Sequence, residues 1–478
     1  MAINNNAMLI RRELLTRVAR LLMDDQLAER IDRIPLEMRP RGGDHTRCCI
    51  HKDRAVLKYK LMGILGFNIH DELDELTPLS DYARQAQARE QLTDVVLTVV
   101  DEACSSCRKN SYEVSNLCRG CVARPCAVNC PKQAIGFAGG QAHIDPAGCV
   151  SCGQCLKVCP FHAIVHLPVP CEEACPVGAI SKNERGVEAI DPAKCISCGR
   201  CITACPFGAV VEKSHLAEIF RTMRQGQRPL IAIAAPAIAG QFGSDLGRIR
   251  RSFRMLGFAD MVEVAHGAEV TARNETAELA ERLEAGAPFM TTSCCPAYTG
   301  MVRKHLPEMQ PYVSHTRTPM SYCAEQVRQQ HPNACVVFVS PCSAKRHEAF
   351  HDPNVDYVLS FEEYGAWLIA AGINLSTLEP EALDGLPPAE ARAFGASGGV
   401  TLSVKALAPE GSVRPLQVSG LDKAAIRQLR AFIKAPTANF VEVMTCEGGC
   451  INGCNVVSNP KLAARQLQTA VDSAPKIT

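Results

Sequence analysis

One cysteine spacing, C-x2-C-x2-C-x3-C-P, occurs twice and constrains this chain more than any other feature. It comprises Cys149, Cys152, Cys155, Cys159 with Pro160, then Cys195, Cys198, Cys201, Cys205 with Pro206. Around it stand relatives of the same pattern: Cys118, Cys121, Cys126 and Cys130 with a longer middle gap, a C-x3-C-P ending at Cys171 and Cys175, and a C-x2-C opening at Cys104 and Cys107. The endings CPKQAI, CPFHAI, CPVGAI and CPFGAV and the leads IDPAGC and IDPAKC repeat as well, the mark of a duplicated module. With 26 cysteines in 478 residues the choice lies between a disulfide framework and metal thiolates. Disulfide scaffolds are short and secreted, whereas the opening MAINNNAMLIRRELLTRVARLLMDDQ is a charge-broken amphipathic helix pattern without an apolar signal core. Metal thiolates in a reducing cytoplasm are therefore expected.

The two regular runs are similar to those of bacterial ferredoxins, in which three close thiolates take three corners of a 4Fe-4S cube and the fourth reaches across to a neighbouring cube. Sixteen cysteines between Cys104 and Cys205 suffice for four such clusters. Crosswise pairing gives Cys118, Cys121, Cys126 with Cys159; Cys149, Cys152, Cys155 with Cys130; Cys195, Cys198, Cys201 with Cys175; and Cys104, Cys107, Cys171 with Cys205. C-x2-C pairs serve zinc equally well, so a zinc site at Cys104, Cys107, Cys118 and Cys121 is the alternative. His143, His162 and His166 are not needed as ligands.

Downstream, three apolar runs end in cysteine: PFMTTSCCP at Pro288–Pro296, VVFVSPC at Val336–Cys342 and FVEVMTCEGGC at Phe440–Cys450. Each reads as a buried parallel strand delivering a thiolate at its carboxyl end into a crevice. One of Cys294 and Cys295, then Cys342, Cys446 and Cys450, could surround one metal centre; the alternative is ordinary buried cysteines. Glu275, Glu278 and Arg282 share one helix face leading to the first of these strands, either a solvated charged face or a row that carries protons inward. GASGGV at Gly395–Val400 lacks the lysine of a phosphate loop and reads as a close-packing turn near the metal site. Residues 1–95 read as a helical cap or arm, 96–215 as the duplicated cluster domain and 216–478 as a catalytic α/β domain. The fold class is thus multidomain α/β and α+β, with ferredoxin-like modules before a two-lobed domain of short, mostly parallel sheets. Cys48 and Cys49 are adjacent, which suits packing better than joint ligation. A formal charge of +1 gives no nucleic-acid footprint, and no apolar run is long enough for a membrane span.

At the three cysteine loops the chain resembles the iron-only (FeFe) hydrogenases. TSCCPAY at Thr292–Tyr298 is similar to the first signature loop, PCSAKRHE at Pro341–Glu348 fits P-C-x-x-K-x-x-E, and MTCEGGCING at Met444–Gly453 fits the third. RCC at Arg47–Cys49 and the TSCCPAY form look most like the branch called group B. The resemblance implies an H-cluster, a 4Fe-4S cube joined to a di-iron unit with CO, cyanide and a bridging dithiolate amine. Cys295, Cys342, Cys446 and Cys450 would hold the cube, with Cys450 bridging. Cys294 would relay protons to the amine, and Lys345 would donate to a cyanide. Ala235, Pro236, Ala237, Ser340 and Met444 would line the pocket. Glu275, Glu278, Arg282 and Thr318, which stands where a serine is usual, would form the proton route.

Departures from the family pattern are Ser340 for a methionine, Ala237 for a serine, Tyr298 for a tryptophan, and NGCNVV after the third loop in place of G-G-G-Q-P. The implied activity is reversible 2H⁺ + 2e⁻ ⇌ H₂, with a ferredoxin or flavodoxin as electron carrier and maturation proteins supplying the di-iron unit. Direct NAD(P)H chemistry would need another subunit, since no Rossmann pattern is present. A hydrogen-sensing regulatory protein and an iron–sulfur assembly factor without the di-iron unit are the alternatives, against which the retained Cys294, Lys345 and Glu348 stand. Roles for Cys48, Cys49, Cys323, Cys335 and Cys454 are not legible.

Overall fold

The computed structural model describes residues 5–69, 72, 74–90, 92, 94–107, 111–243, 245–383 and 385–477. The part that the sequence marks as catalytic is built on two sheets, and every strand pairing in them is parallel. One sheet contains β1 (Leu230–Ala234), β2 (Asp260–Glu263), β4 (Cys335–Ser340) and β5 (Tyr357–Ser360) in the order β2-β1-β4-β5. The other contains β3 (Met290–Thr291), β6 (Pro415–Ser419) and β7 (Phe440–Met444) in the order β3-β7-β6. LIAIA, CVVFVS and FVEVM are buried along their whole length, as expected of strands covered on both faces by helices. The carboxyl ends of β1, β3, β4 and β7 all lead into loops carrying the signature residues, the position where open parallel sheets bind their ligands.

The cluster part has antiparallel two-stranded ribbons instead: Ile135–Ala138 with Gln141–Ile144, Ser111–Val114 with Ile164–Leu167, and Ile180–Lys182 with Glu188–Ile190. Leu97–Val99 pairs with Val210–Glu212, which brings the two ends of this stretch together. The sequence repeat is also a conformational repeat. In the four C-x2-C loops that open each cysteine run the residue before the second cysteine is left-handed: Ser106, Gly120, Ser151 and Ser197 at φ 47, 56, 53 and 53°. In all four C-P endings the third residue after the cysteine is left-handed too: Gln133, His162, Gly178 and Gly208 at φ 51, 49, 64 and 59°. That turn aims the next backbone N–H back at the thiol. Ala134, Ala163, Ala179 and Ala209 donate to Cys130, Cys159, Cys175 and Cys205 at 3.4, 3.4, 3.2 and 3.4 Å. Such donors favour thiolate over thiol and are a lever on cluster potential.

The N-terminal helix α1 (Asn6–Met23), capped by the Asn5 side chain, is an arm onto the catalytic part. Arg11 and Arg12 clasp the buried Glu362 of α6 (Phe361–Ala370) at 2.6 and 3.0 Å. A second buried network crosses between cluster and catalytic parts. Arg346 lies 2.6 Å from Glu212 and 2.5 Å from Glu363, and the Asn455 amide donates to Glu212 at 2.5 Å. Because the charges satisfy one another, the interface holds ions that neither part could bury alone. Cys323 and Cys335 are fully buried core thiols, the first donating weakly to Glu263 O. Cys49 caps the helix Ile50–Ile64, its sulfur accepting from Lys52 N, while Cys48 is exposed.

Candidate active site

A single cavity between the two sheets is lined by Cys294, Cys295, Cys342, Cys446 and Cys450, together with Ala235, Pro236, Ala237, Ser340, Met444 and Lys345. The turn at Ala235–Ala237 is packed from behind. A Cβ on Gly395 would stand 3.0 Å from Ala237 N, and one on Gly449 would stand 2.5 Å from Ser397 N, so the glycine-rich GASGGV segment and the third cysteine loop approach backbone to backbone. α7 (Pro460–Asp472) closes on the same turn through Gly240, where a Cβ would meet Ala463 O at 2.6 Å.

Burial pushes the Cys342 and Cys446 thiols well above their ordinary range and Cys450 up to about 11, and their mutual repulsion adds to it. Such a set can ionise together only around a compensating cation, which is the donor chemistry an iron–sulfur cube requires. Lys345 adds a second sign of fit. Its ammonium, ion-paired with Glu348 Oε2 at 2.6 Å, lines the cavity and has further N–H donors for an anionic ligand. The residues present therefore fit an H-cluster.

Cys294 is buried, and its thiol is pushed well up by burial and by the adjacent Glu275. Glu275 projects from α3 (Ala265–Glu284) with no exposed surface and accepts from Ser293 N at 3.1 Å and Ser293 Oγ at 3.4 Å. Burial, with repulsion from Glu278 and Glu442 adding to it, raises its carboxyl to about 8. One turn on, Glu278 is held lower than an ordinary carboxylate: burial works against this, but hydrogen bonds from Ser314 and His315 N and the Arg282 charge prevail. The contacts are Ser314 Oγ at 2.6 Å, His315 N at 2.9 Å, Thr316 Oγ1 at 3.1 Å and Arg282 Nη2 at 2.6 Å. Arg282 in turn donates to Pro311 O and Val313 O at 2.9 and 3.0 Å. These are two acids whose environments push their affinities apart, one neutral and inside, the other ionised and partly exposed, a separation that suits proton transfer.

Thr318 does not belong to this row. It begins α4 (Pro319–Gln330), and its hydroxyl donates to Glu348, on the Lys345 side of the cavity. The hydroxyl beside Glu278 is that of Ser314, with Ser293 beside Glu275. Thr318 stands where a serine is usual in the family, but the chain after β3 returns to α3 four residues earlier, at Ser314. Ser314→Ala is therefore expected to slow turnover about tenfold or more, while Thr318→Val, which keeps shape, leaves the proton route intact; hydrogen evolution rates of the two variants check this. Glu442 was also missed. Fully buried on β7, it accepts from Gly398 N, Thr401 N and Thr401 Oγ1 at 2.7, 2.9 and 2.7 Å and so pins the glycine-rich segment.

The cluster cysteines fall into neighbourhoods. Burial raises Cys107, with Cys104 and Cys205 adding to it, and raises Cys171 to about 12, with Glu188 and Cys205 adding. Cys198 is likewise pushed up to about 12 by burial, then by Cys195 and Cys175; Cys201 is raised by the same neighbours. Burial and then Cys121 and Cys159 act on Cys126, while Cys149 and Cys152 act on the buried Cys155. Cys118 and Cys130 pack with Cys126, Cys155 and Cys159 in a small core of their own. Cys104 and Cys107 pack elsewhere, against the main core with Cys171 and Cys205, so the zinc quartet of Cys104, Cys107, Cys118 and Cys121 is not brought together. Among the described residues no three His, Cys, Asp or Glu converge as one metal ion requires. A cube, with sulfides and irons between its thiolates, spaces them more widely. His143 bonds Ala138 O and His166 stacks on Tyr112.

Comparison with known proteins agrees with this geometry. A family model described as "Iron only hydrogenase large subunit, C-terminal domain" matches residues 228–454, and one for a 4Fe-4S dicluster domain matches 117–163 and 170–209. Iron hydrogenase 1 of Clostridium pasteurianum is 26% identical over 300 residues, covering 51% of this chain and 52% of that protein. The periplasmic [Fe] hydrogenase large subunit of Nitratidesulfovibrio vulgaris is 29% identical over 372 residues, covering 65% of this chain and 85% of its own length. The NADP-reducing hydrogenase subunit HndD of Solidesulfovibrio fructosivorans is 25% identical over 369 residues, 64% of this chain and 55% of that one. The chain thus spans about half the length of two of these relatives. With the dicluster domain ahead of a catalytic domain whose cavity suits an H-cluster, this chain belongs to the iron-only hydrogenase family.

Proposed function

We propose that the chain catalyses 2H⁺ + 2e⁻ ⇌ H₂, with four 4Fe-4S clusters relaying electrons from a ferredoxin- or flavodoxin-type carrier in a reducing cytoplasm. The observation that carries this reading is the buried Cys294 at the meeting point of the four-thiol cavity and the Glu275–Ser293, Glu278–Ser314 row. Bound, the H-cluster supplies low-valent iron able to combine two electrons and two protons as H₂; maturation proteins would provide its di-iron unit.

The chain's own residues do the rest. Cys295, Cys342, Cys446 and Cys450 would hold the cube, and Lys345 would offer its ammonium to a cyanide. The apolar walls of Ala235, Pro236, Ala237, Phe338 and Met444 keep water out, which forces protons through side chains. Arg282 orients Glu278, Glu278 exchanges protons with solvent near His315, and Glu275, neutral below about pH 8, returns a proton to the Cys294 sulfur after that thiol has given up its own. The cluster cysteines act in the four neighbourhoods described above. The test is hydrogen evolution from a reduced low-potential dye and from reduced ferredoxin, by protein produced with maturation enzymes. Evolution from both supports the reading. Evolution from dye alone removes the ferredoxin partner, and evolution from neither removes the activity.

A further inference from the structure

Cys454 has no place in any of the ligand sets or in the proton route, yet it sits between two of those sets. Its sulfur is 3.5 Å from Ser343 Oγ and 3.7 Å from Pro341 O, and the residue is 7% exposed. Ser343 follows the ligand Cys342 and donates across the domain boundary to Ser197 O at 2.7 Å, inside the Cys195–Cys201 loop. From the other side Gly199 presses in. A Cβ there would fall 2.4 Å from Cys454 Sγ, 2.7 Å from Cys454 Cβ and 2.8 Å from Ser343 Oγ, and the residue stands at φ +73°. Arg200 ties the same loop to Leu421 O at 2.5 Å, and Cys198 reaches the wall of the cavity that holds Cys342 and Cys446. Cys454 interacts electrostatically with Cys198 and Cys201 on one side and Cys342 and Cys446 on the other.

We propose that the seam of Gly199, Ser343 and Cys454 is where electrons cross between the Cys195–Cys201 cluster and the active-site cube, and that Cys454 is the positioning residue that sets its width. The inference rests on the reading that both thiol sets hold cubes. In the step itself one electron leaves the reduced cube and arrives at its oxidised partner. No bond forms or breaks, and the Cys454 thiol keeps its proton. A small side chain without branches lets the glycine backbone and two ligand loops meet in van der Waals contact. Electron tunnelling falls exponentially with the gap, so a wedge there acts on rate without touching a ligand.

The test uses the full chain with its cubes reconstituted, compared as wild type, Cys454→Ser and Cys454→Leu. Iron content counts the cubes, and EPR of the reduced protein reads magnetic coupling between them, which falls with the inverse cube of their separation. Rapid-mixing reoxidation reads the crossing rate. Cys454→Ser is expected to keep all three. Cys454→Leu is expected to keep its iron, weaken the coupling and slow the crossing several-fold. Should Cys454→Leu lose iron through overpacking, Cys454→Val carries the same expectation with a smaller wedge. Unchanged coupling and rate in an iron-replete Cys454→Leu or Cys454→Val overturns the inference. A wild type without the active-site cube overturns the underlying cofactor reading, and this inference with it.

Discussion

Replacing Cys294 by alanine is expected to lower hydrogen turnover by roughly 10²–10⁴-fold, the range that a positioned proton donor contributes. The H-cluster should stay in place. Cys294 lies in the cavity but its neighbour Cys295 is the one whose S–H reaches Thr445 Oγ1, at 3.3 Å, beside Cys446, so removing Cys294 leaves the four-thiol set complete. The alanine removes the buried thiol that lines the cavity and neighbours Glu275. Infrared bands of bound CO and cyanide should therefore persist in Cys294→Ala while hydrogen evolution collapses. Equal loss of bands and rate would instead make Cys294 structural.

Glu275→Gln is expected to do two things that ordinarily oppose each other. It should lower turnover by about 10²-fold or more, because an amide cannot pass a proton. It should also stabilise the fold at neutral pH. The carboxyl titrates near 4.3 in an unfolded chain and at about 8 here. Between those values the folded protein holds a proton that the unfolded chain has released. The stability contributed by the neutral acid is complete below about pH 4 and is lost as the pH rises through about 8. Gln removes that dependence, so at pH 7 the variant should be more stable, by about 4 kcal/mol at most. Thermal denaturation of both proteins from about pH 5 to 9 checks this. Their midpoints should converge toward acid and separate toward alkali. A constant difference across the range would show that Glu275 does not titrate as a buried acid.

These two residues also show what the sequence could and could not reveal. Strand ends at VVFVSPC and FVEVMTC were legible because the strands VVFVS and FVEVM are each apolar but for one residue, Ser340 or Glu442, and lead to a cysteine; the parallel sheets followed from that. Glu275, Glu278 and Arg282 were legible because helical spacing alone puts them on one face. Ser314 was not. Its contact with Glu278 spans 36 residues and depends on how the chain returns from β3, whereas Thr318 matched the family only as a hydroxyl residue where a serine is usual. Glu442 was hidden as a lone acid in an apolar strand, its partners Gly398 and Thr401 lying 44 and 41 residues away. In the cluster part the spacing of cysteines was enough to suggest neighbourhoods, since short C-x2-C loops and C-P endings impose the same left-handed turns each time. The short opening at Cys104–Cys107 lacked the repeat's flanking residues, and only its Ser106 turn shows it to be built like the others. Cys454 was unreadable because its meaning lies in Gly199, on another domain.

Infrared spectroscopy of the anaerobically purified chain, produced together with maturation enzymes, tests the central claim most directly. The account predicts sharp CO and cyanide stretching bands that shift when H₂ replaces argon. Their absence, in protein whose iron content and EPR still show several cubes, would contradict it and leave the chain an electron carrier or assembly factor built on a hydrogenase fold.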